Sequence, residues 1–366
     1  MDHDQIAARI RLALDREAAR HQLSPGAWPR IERRLHRRGR RQTAIVTACL
    51  ALAAAATVTT FLWHAASGPA VSHRPSRPAP QLVIVSRTHL RAGVTDVVAG
   101  YGAVWVVGPG VIYRVDPATA KPVATIPAPA VGEWSNITAG LGAVWATSGI
   151  EPHAGVYRID PGHNRVTSFI RLPPDPIDIA VAYGRVWVAE PRQGPGIVLR
   201  LDPRTNRLTG PPIRVGTGPG PIVAGFGAVW VNNWNGEGSV SRVDPASGAV
   251  TRTLVNTPEI DAVGAGSLWG TATYGGIQRI DPATGQVTAA IRLPNAQDVT
   301  FWAGSAWVSR EPPGTIARID PASNRIVGKA VPAGTSPGSV ASPTGLWVID
   351  YATGDLLHLA VTRAVK

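Results

Sequence analysis

The sequence predicts an all-β fold, a seven-bladed β-propeller closed by an N-terminal strand, behind a short helical cytoplasmic arm and one transmembrane helix. Three observations predict it. A tryptophan recurs seven times at near-constant spacing, an Arg-x-Asp-Pro unit follows each of the first six, and one uncharged run of 21 residues has a cluster of arginines on one side only. The expected organisation is a basic arm over 1–42, a membrane span over 43–63, a Pro-rich spacer over 64–81 and the propeller over 82–366.

Composition fits this reading. With 39 Gly, 33 Pro and 12 Trp but only 16% charged residues, the chain suits many tight turns between short aromatic-bearing strands. Its net charge of +12 is uneven: residues 1–41 hold eleven Arg against five acids, whereas 82–366 hold 23 Lys and Arg against 19 acids. The basic signal belongs to the arm, so no nucleic-acid partner is expected. The single cysteine, Cys49, lies inside the apolar run, and the propeller can form no disulfide.

Thr43 to Trp63 is long enough, as a helix, to cross about 30 Å of hydrocarbon. Arg33, Arg34, Arg37, Arg38, Arg40 and Arg41 stand just before it, which retains the N-terminus in the cytoplasm and puts the propeller on the extracytoplasmic side of the cell membrane. The charged region is too long for a cleavable leader, and the apolar run continues past Cys49, against lipidation there. Within the arm, Ile6, Ile10 and Leu14, then Trp28, Ile31 and Leu35, recur at helical spacing. Two short amphipathic helices follow, which touch anionic lipid or dock a cytoplasmic partner. The arm resembles those of regulatory membrane proteins from high-GC bacteria.

The tryptophans are Trp105, Trp145, Trp187, Trp230, Trp269, Trp307 and Trp347, spaced by 40, 42, 43, 39, 38 and 40. About 40 residues per repeat is room for the four strands of a propeller blade. One large aromatic per blade is expected to fill the wedge between neighbouring sheets. The unit containing Asp116, Asp160, Asp202, Asp244, Asp281 or Asp320, each followed by Pro, reads as a hairpin turn, with the Asp accepting from turn N–H groups. The residue four after the Asp must tolerate the left-handed region; it is Asn or Gly in five copies and Ala120 in the other. The seventh copy has His358 where the Arg should be. Leu82 to Leu90 precedes the first copy, so it is expected to pair as the outer strand of blade seven.

On these residues the repeats resemble the YVTN/YncE-like propellers and, more distantly, the virginiamycin B lyase-like propellers. The resemblance covers residues 82–366. It implies the fold, and through its second branch a metal-assisted lyase or hydrolase activity as the alternative to a binding role.

The Asp-Pro turns are nearly uniform, so that face reads as structural, and the Gly216 to Gly220 run reads as a turn rather than a phosphate loop. The opposite loops vary, as binding loops on a rigid scaffold do. They carry His153, Glu190, Asn233, Trp234 and Glu237, with Trp134 and Asp178 on neighbouring connections; Trp134 and Trp234 fall outside the repeat pattern. Equivalent positions point a second set at the central channel: Asp96, Asp178 and Asp298 nine residues before their tryptophans, and Glu190, Asn233, Arg310 and Asp350 three after. If these converge, Asp96, Asp178 and Asp298 would hold a divalent cation or a cationic ligand; otherwise no cofactor is expected. The competing reading is that such aspartates satisfy loop N–H groups. A lyase would need a histidine base, and only His153 is placed for it. The sequence therefore favours a non-catalytic sensor or scaffold that binds an extracytoplasmic ligand or protein.

Overall fold

The computed structural model describes residues 81–362 except 133, 134, 150–152, 174, 193, 236, 237, 256, 273, 274 and 343. The arm, the span, nearly all of the spacer, and Trp134 and Glu237 lie outside these residues. Among those described, no helix is long and apolar enough to cross a membrane.

Seven antiparallel sheets make seven blades, the first six running from an inner to an outer strand in chain order. Blade 1 is Asp96–Gly100, Ala103–Gly108, Val111–Val115 and Pro122–Pro127. In blades 3 and 6 the outer strand is broken in two, at Gly210-Pro211-Pro212 and at Gly328, because Gly210 and Gly328 have φ of 68° and 74° and Pro lacks a ladder donor. Blade 7 takes its outer strand from the other end of the chain. Gln81–His89 pairs with Asp355–Thr362, with Leu82 opposite Val361 and His89 opposite Asp355.

The repeat tryptophan faces the next blade. Trp105 packs with Ile137, Val144 and Ala146 of blade 2, and the same relation repeats round to Trp347, which packs with Val97, Val104 and Val106 of blade 1. All seven are at most 2% exposed. Six indoles donate to the carbonyl five residues earlier, from Trp105 to Gly100 at 3.0 Å through Trp307 to Trp302 at 2.9 Å, so none of these is buried with an unmet polar group.

Opposite each tryptophan, on the third strand, stands the arginine of Arg-x-Asp-Pro. Its guanidinium lies 4.8–5.7 Å from the indole ring in blades 1, 2, 4, 5 and 6. In blade 7, His358 stacks on Trp347 at 4.2 Å with the rings parallel to within 1°. The aspartates are turn formers as read: each accepts the N–H two residues on, at 2.7–3.1 Å. The residue four after the Asp adopts positive φ in all six copies, Ala120 included at 56°.

Replacing Trp269 by Ala should lower the unfolding free energy in urea by about 3–5 kcal/mol, the cost of a large cavity at a blade interface. A loss below about 1 kcal/mol would contradict the wedge role. A second expectation concerns His358, whose pKa burial lowers from 6.5 despite its contact with the Thr344 carbonyl. The unfolded chain therefore takes up this proton first, and the stability the neutral ring contributes is present above about pH 6.5 and lost as pH falls below it. His358→Arg, which restores the residue of the other blades, should flatten stability against pH below 6.5 in denaturation series; an unchanged slope would show that His358 does not carry it.

Candidate ligand-binding site

The inner-strand aspartates act between blades. Asp96 accepts the N–H of Ile137 in blade 2 at 2.8 Å and that of Val97 at 2.7 Å; Asp178 accepts the N–H of Ile222 in blade 4 at 2.6 Å. Asn136 likewise donates to the Ile177 carbonyl of blade 3. Blade 4 has Pro221 at the equivalent position, and the next strand compensates: Asn232 bonds both the N–H and the carbonyl of Ile260, at 2.8 and 2.9 Å. The starts of blades 2 to 5 thus each present a backbone group that the neighbouring blade reaches with a short polar side chain.

The trio Asp96, Asp178 and Asp298 does not gather as metal ligands. Among the described residues no group of three or more His, Cys, Asp or Glu is placed to hold a metal ion. The physical reason is the pull of the next blade's amides on Asp96 and Asp178. Three groups here escaped the sequence reading. A bulge between Ile260 and Ala262 displaces the register of blade 5 by one, so Glu259, not Ile260, stands where Asp96 and Asp178 stand in blades 1 and 3, and Asp261 is the extra residue, near enough to Asp298 to feel its charge. Tyr351 reaches over Gly338, leaving no room for a side chain there, and its hydroxyl is held protonated by burial and by the charges of Asp96 and Asp298.

Burial raises Asp96 to about 7, opposed by its two N–H bonds and helped by the charges of Asp178 and Asp298. Burial likewise raises Asp178 to about 7, helped by Glu259. Asp261 is pushed well above the usual range by burial and then by Asp298 and Glu259. The channel is therefore a set of carboxyls that retain protons near neutrality rather than a row of full charges.

Four other candidates lie elsewhere. Asp350 is a turn former: it accepts N–H groups of Thr335, Ser336 and Ala352 at 3.0–3.1 Å, and Gly354 takes the left-handed position at φ 77°. Burial would raise its pKa, but these bonds and that from Thr353 outweigh it and the pKa is lowered. Glu190 is completely buried, with Arg192 the nearest cation at 3.9 Å, and burial brings it to about 7. Arg310 bonds the Pro294 carbonyl at 3.1 Å and so props the connection between blades 5 and 6. His153 is exposed and meets Phe169 edge-on at 6.5 Å.

Asn233 and Trp234 are brought together. They line a cleft of about 670 Å³ on the variable-loop face across blades 4 to 6, with Glu259, Thr271, Asn295 and Gln297. Trp234 is 52% exposed. Its indole lies over Gly220, where a Cβ would collide with it, and donates to the Glu259 carboxyl. Asn233 and Asn235 lie in the same way over Gly216 and Gly218. The glycine run is thus mostly strand, Ile213–Thr217 and Pro219–Gly225, rather than a turn. Burial raises Glu259, against the pull of the Trp234 hydrogen bond. The chemistry on offer is a rigid aromatic face beside a carboxyl, ringed by amides and a hydroxyl.

Fold and repeats define a β-propeller repeat protein with an aromatic cleft on one face. A family described as a repeat of unknown function (DUF6923) matches residues 196–310. Among solved structures, Kuenenia stuttgartiensis hydrazine synthase is similar with a TM-score of 0.61 at 13% identity, over 76% of this chain and 99% of that one. At that identity the likeness is one of fold alone. No curated protein matches the sequence.

The raised Asp178 gives a pH test. Its carboxyl titrates at 3.8 when unperturbed and about 7 in the fold, so its contribution is fully present below pH 3.8 and lost as pH rises through 7. Asn at this position, as in blade 2, cannot titrate. The stability of the wild type relative to Asp178→Asn should therefore fall between about pH 4 and pH 8 in denaturant titrations, whereas parallel curves would show that Asp178 is charged throughout.

Proposed function

We propose that the chain is a binding module that takes its ligand in the Trp234 cleft and is held by Thr43 to Trp63 at the extracytoplasmic face of a membrane, its arm facing a cytoplasmic partner. The observation that carries the binding reading is the exposed, backbone-supported Trp234 bonded to Glu259 at a preformed cleft. An indole face next to a carboxyl suits a ligand with a cationic or apolar face, and the surrounding Asn295, Gln297 and Thr271 suit one with polar edges. The tether is supported by the uncharged run and the arginines before it. Kinship with the YVTN/YncE-like propellers belongs to the same proposal and rests on the Trp and Arg-x-Asp-Pro units.

The test is calorimetric titration of the full-length protein, in neutral detergent, with a panel of quaternary ammonium compounds and soluble oligosaccharides. Trp234→Ala should weaken any ligand that binds by about tenfold or more without changing the melting temperature, since an exposed aromatic anchors binding rather than the fold. Glu259→Gln should act mainly on cationic ligands. Binding that survives Trp234→Ala intact would place the ligand elsewhere.

A further inference from the structure

We propose a second site on the opposite face: a phosphate-binding cleft between blades 3 and 4, built on Arg185 and Arg200. The cleft has a volume of about 280 Å³ and is lined by Tyr183, Arg185, Arg200, Thr209 and Gly210 with the Pro245-Ala246 turn.

In blades 1, 2 and 5 the repeat arginine donates to the turn asparagine of the next blade, Arg114 to Asn164 at 2.8 Å, Arg158 to Asn206 at 3.3 Å and Arg279 to Asn324 at 2.8 Å. Arg242 uses Thr251 at 2.7 Å and Arg318 uses Ser305 at 2.8 Å. Arg200 meets Gly248 instead, which offers its Nη groups no side-chain acceptor; its buried Nε, like that of Arg114, has no hydrogen-bond partner. Two residues before each repeat tryptophan the other blades have Ala, Ser or Gly; blade 3 has Arg185. Two guanidinium groups therefore share one cleft. Arg185 bonds the Gly184 carbonyl at 3.1 Å and helps hold Asp202 low, while the Asp202 carboxylate is taken up by the N–H groups of its own turn. The Asp244 carboxylate is likewise turned into its own loop.

The break of the outer strand at Gly210 opens the cleft, and the Arg200 guanidinium rests against Gly210 and Gly248. Two cations side by side are unfavourable until an anion lies between them, and two guanidinium forks match the many acceptors of a tetrahedral oxyanion. The phosphate comes either free or as a lipid headgroup. This site shares no residue with the Trp234 cleft and stands independently of it.

The test titrates the full-length protein in neutral detergent with inorganic phosphate and, separately, with short-chain phosphatidylglycerol and phosphatidylcholine, by calorimetry. Two variants are compared: Arg200→Gln, and Gly248→Asn, which supplies the acceptor of the other blades at a left-handed position where Asn164, Asn206 and Asn324 already sit at φ 52–55°. Saturable binding weakened about tenfold or more in both is expected, because each removes a charge-assisted pair. Binding of inorganic phosphate identifies a free anion; binding of phosphatidylglycerol but not phosphatidylcholine identifies a lipid headgroup. Absence of saturable binding to both, or affinity unchanged in Gly248→Asn, overturns the site. Should Arg200→Gln fail to fold, Gly248→Asn decides alone.

Discussion

The ring depends on one contact repeated round it: an indole on the second strand of a blade, faced on its own sheet by the cross-strand arginine, or by His358 in blade 7, and pressed on its other side against the next blade. The tryptophan supplies the buried area that fills a wedge-shaped gap, and its N–H is met inside its own blade, so burial leaves no unmet donor. The arginine extends the contact outward to the turn of the following blade. This gives the left-handed turn residue two tasks. Either Asn or Gly relieves the backbone, but only Asn also accepts the guanidinium.

That arrangement governs where function can sit. Blades locked through tryptophan, arginine and the inner-strand amide bonds of Asp96, Asp178 and Asn232 leave the centre of the ring committed to holding neighbours together. The protons its carboxyls retain near neutrality follow from this: burial between sheets penalises the charged form, and the backbone N–H bonds only partly offset it. Chemistry directed at solvent is displaced to the rims, where loop length is free to vary.

Whatever repeats was legible in the sequence. Seven tryptophans, six Asp-Pro turns and the left-handed position after them could each be read because a device needed at every blade leaves a period. Trp234 was legible for the converse reason, as an aromatic off the period. The failures are of two kinds. Asp261 was missed because it is the extra residue of a bulge, which leaves no mark in the sequence. Asp350 was misplaced because its turn joins a different pair of strands, although its signal was present: Gly354 stands four residues after it, as Gly248 stands after Asp244. The lining of the cleft by Asn295 and Gln297 depends on how two connections meet in space, and no spacing encodes that.

The glycines under the cleft show why it is built in advance of a ligand. Gly216 and Gly220 lie in strands, where glycine is ordinarily unfavourable, and Gly218 between them takes a left-handed φ of 63°; a Cβ at Gly216, Gly218 or Gly220 would strike Asn233, Asn235 or Trp234 respectively. The flexibility lost to folding at three positions is thus exchanged for three side chains laid flat on a strand and fixed by main-chain bonds, Trp234 N–H to Gly218 at 2.8 Å and Asn235 N–H to Thr217 at 3.1 Å. A platform already ordered in the free protein removes that ordering from the free energy of binding, so modest contacts to a small ligand suffice. Stability alone would have favoured β-branched residues on these strands; the choice of glycine is accounted for by the surface it supports.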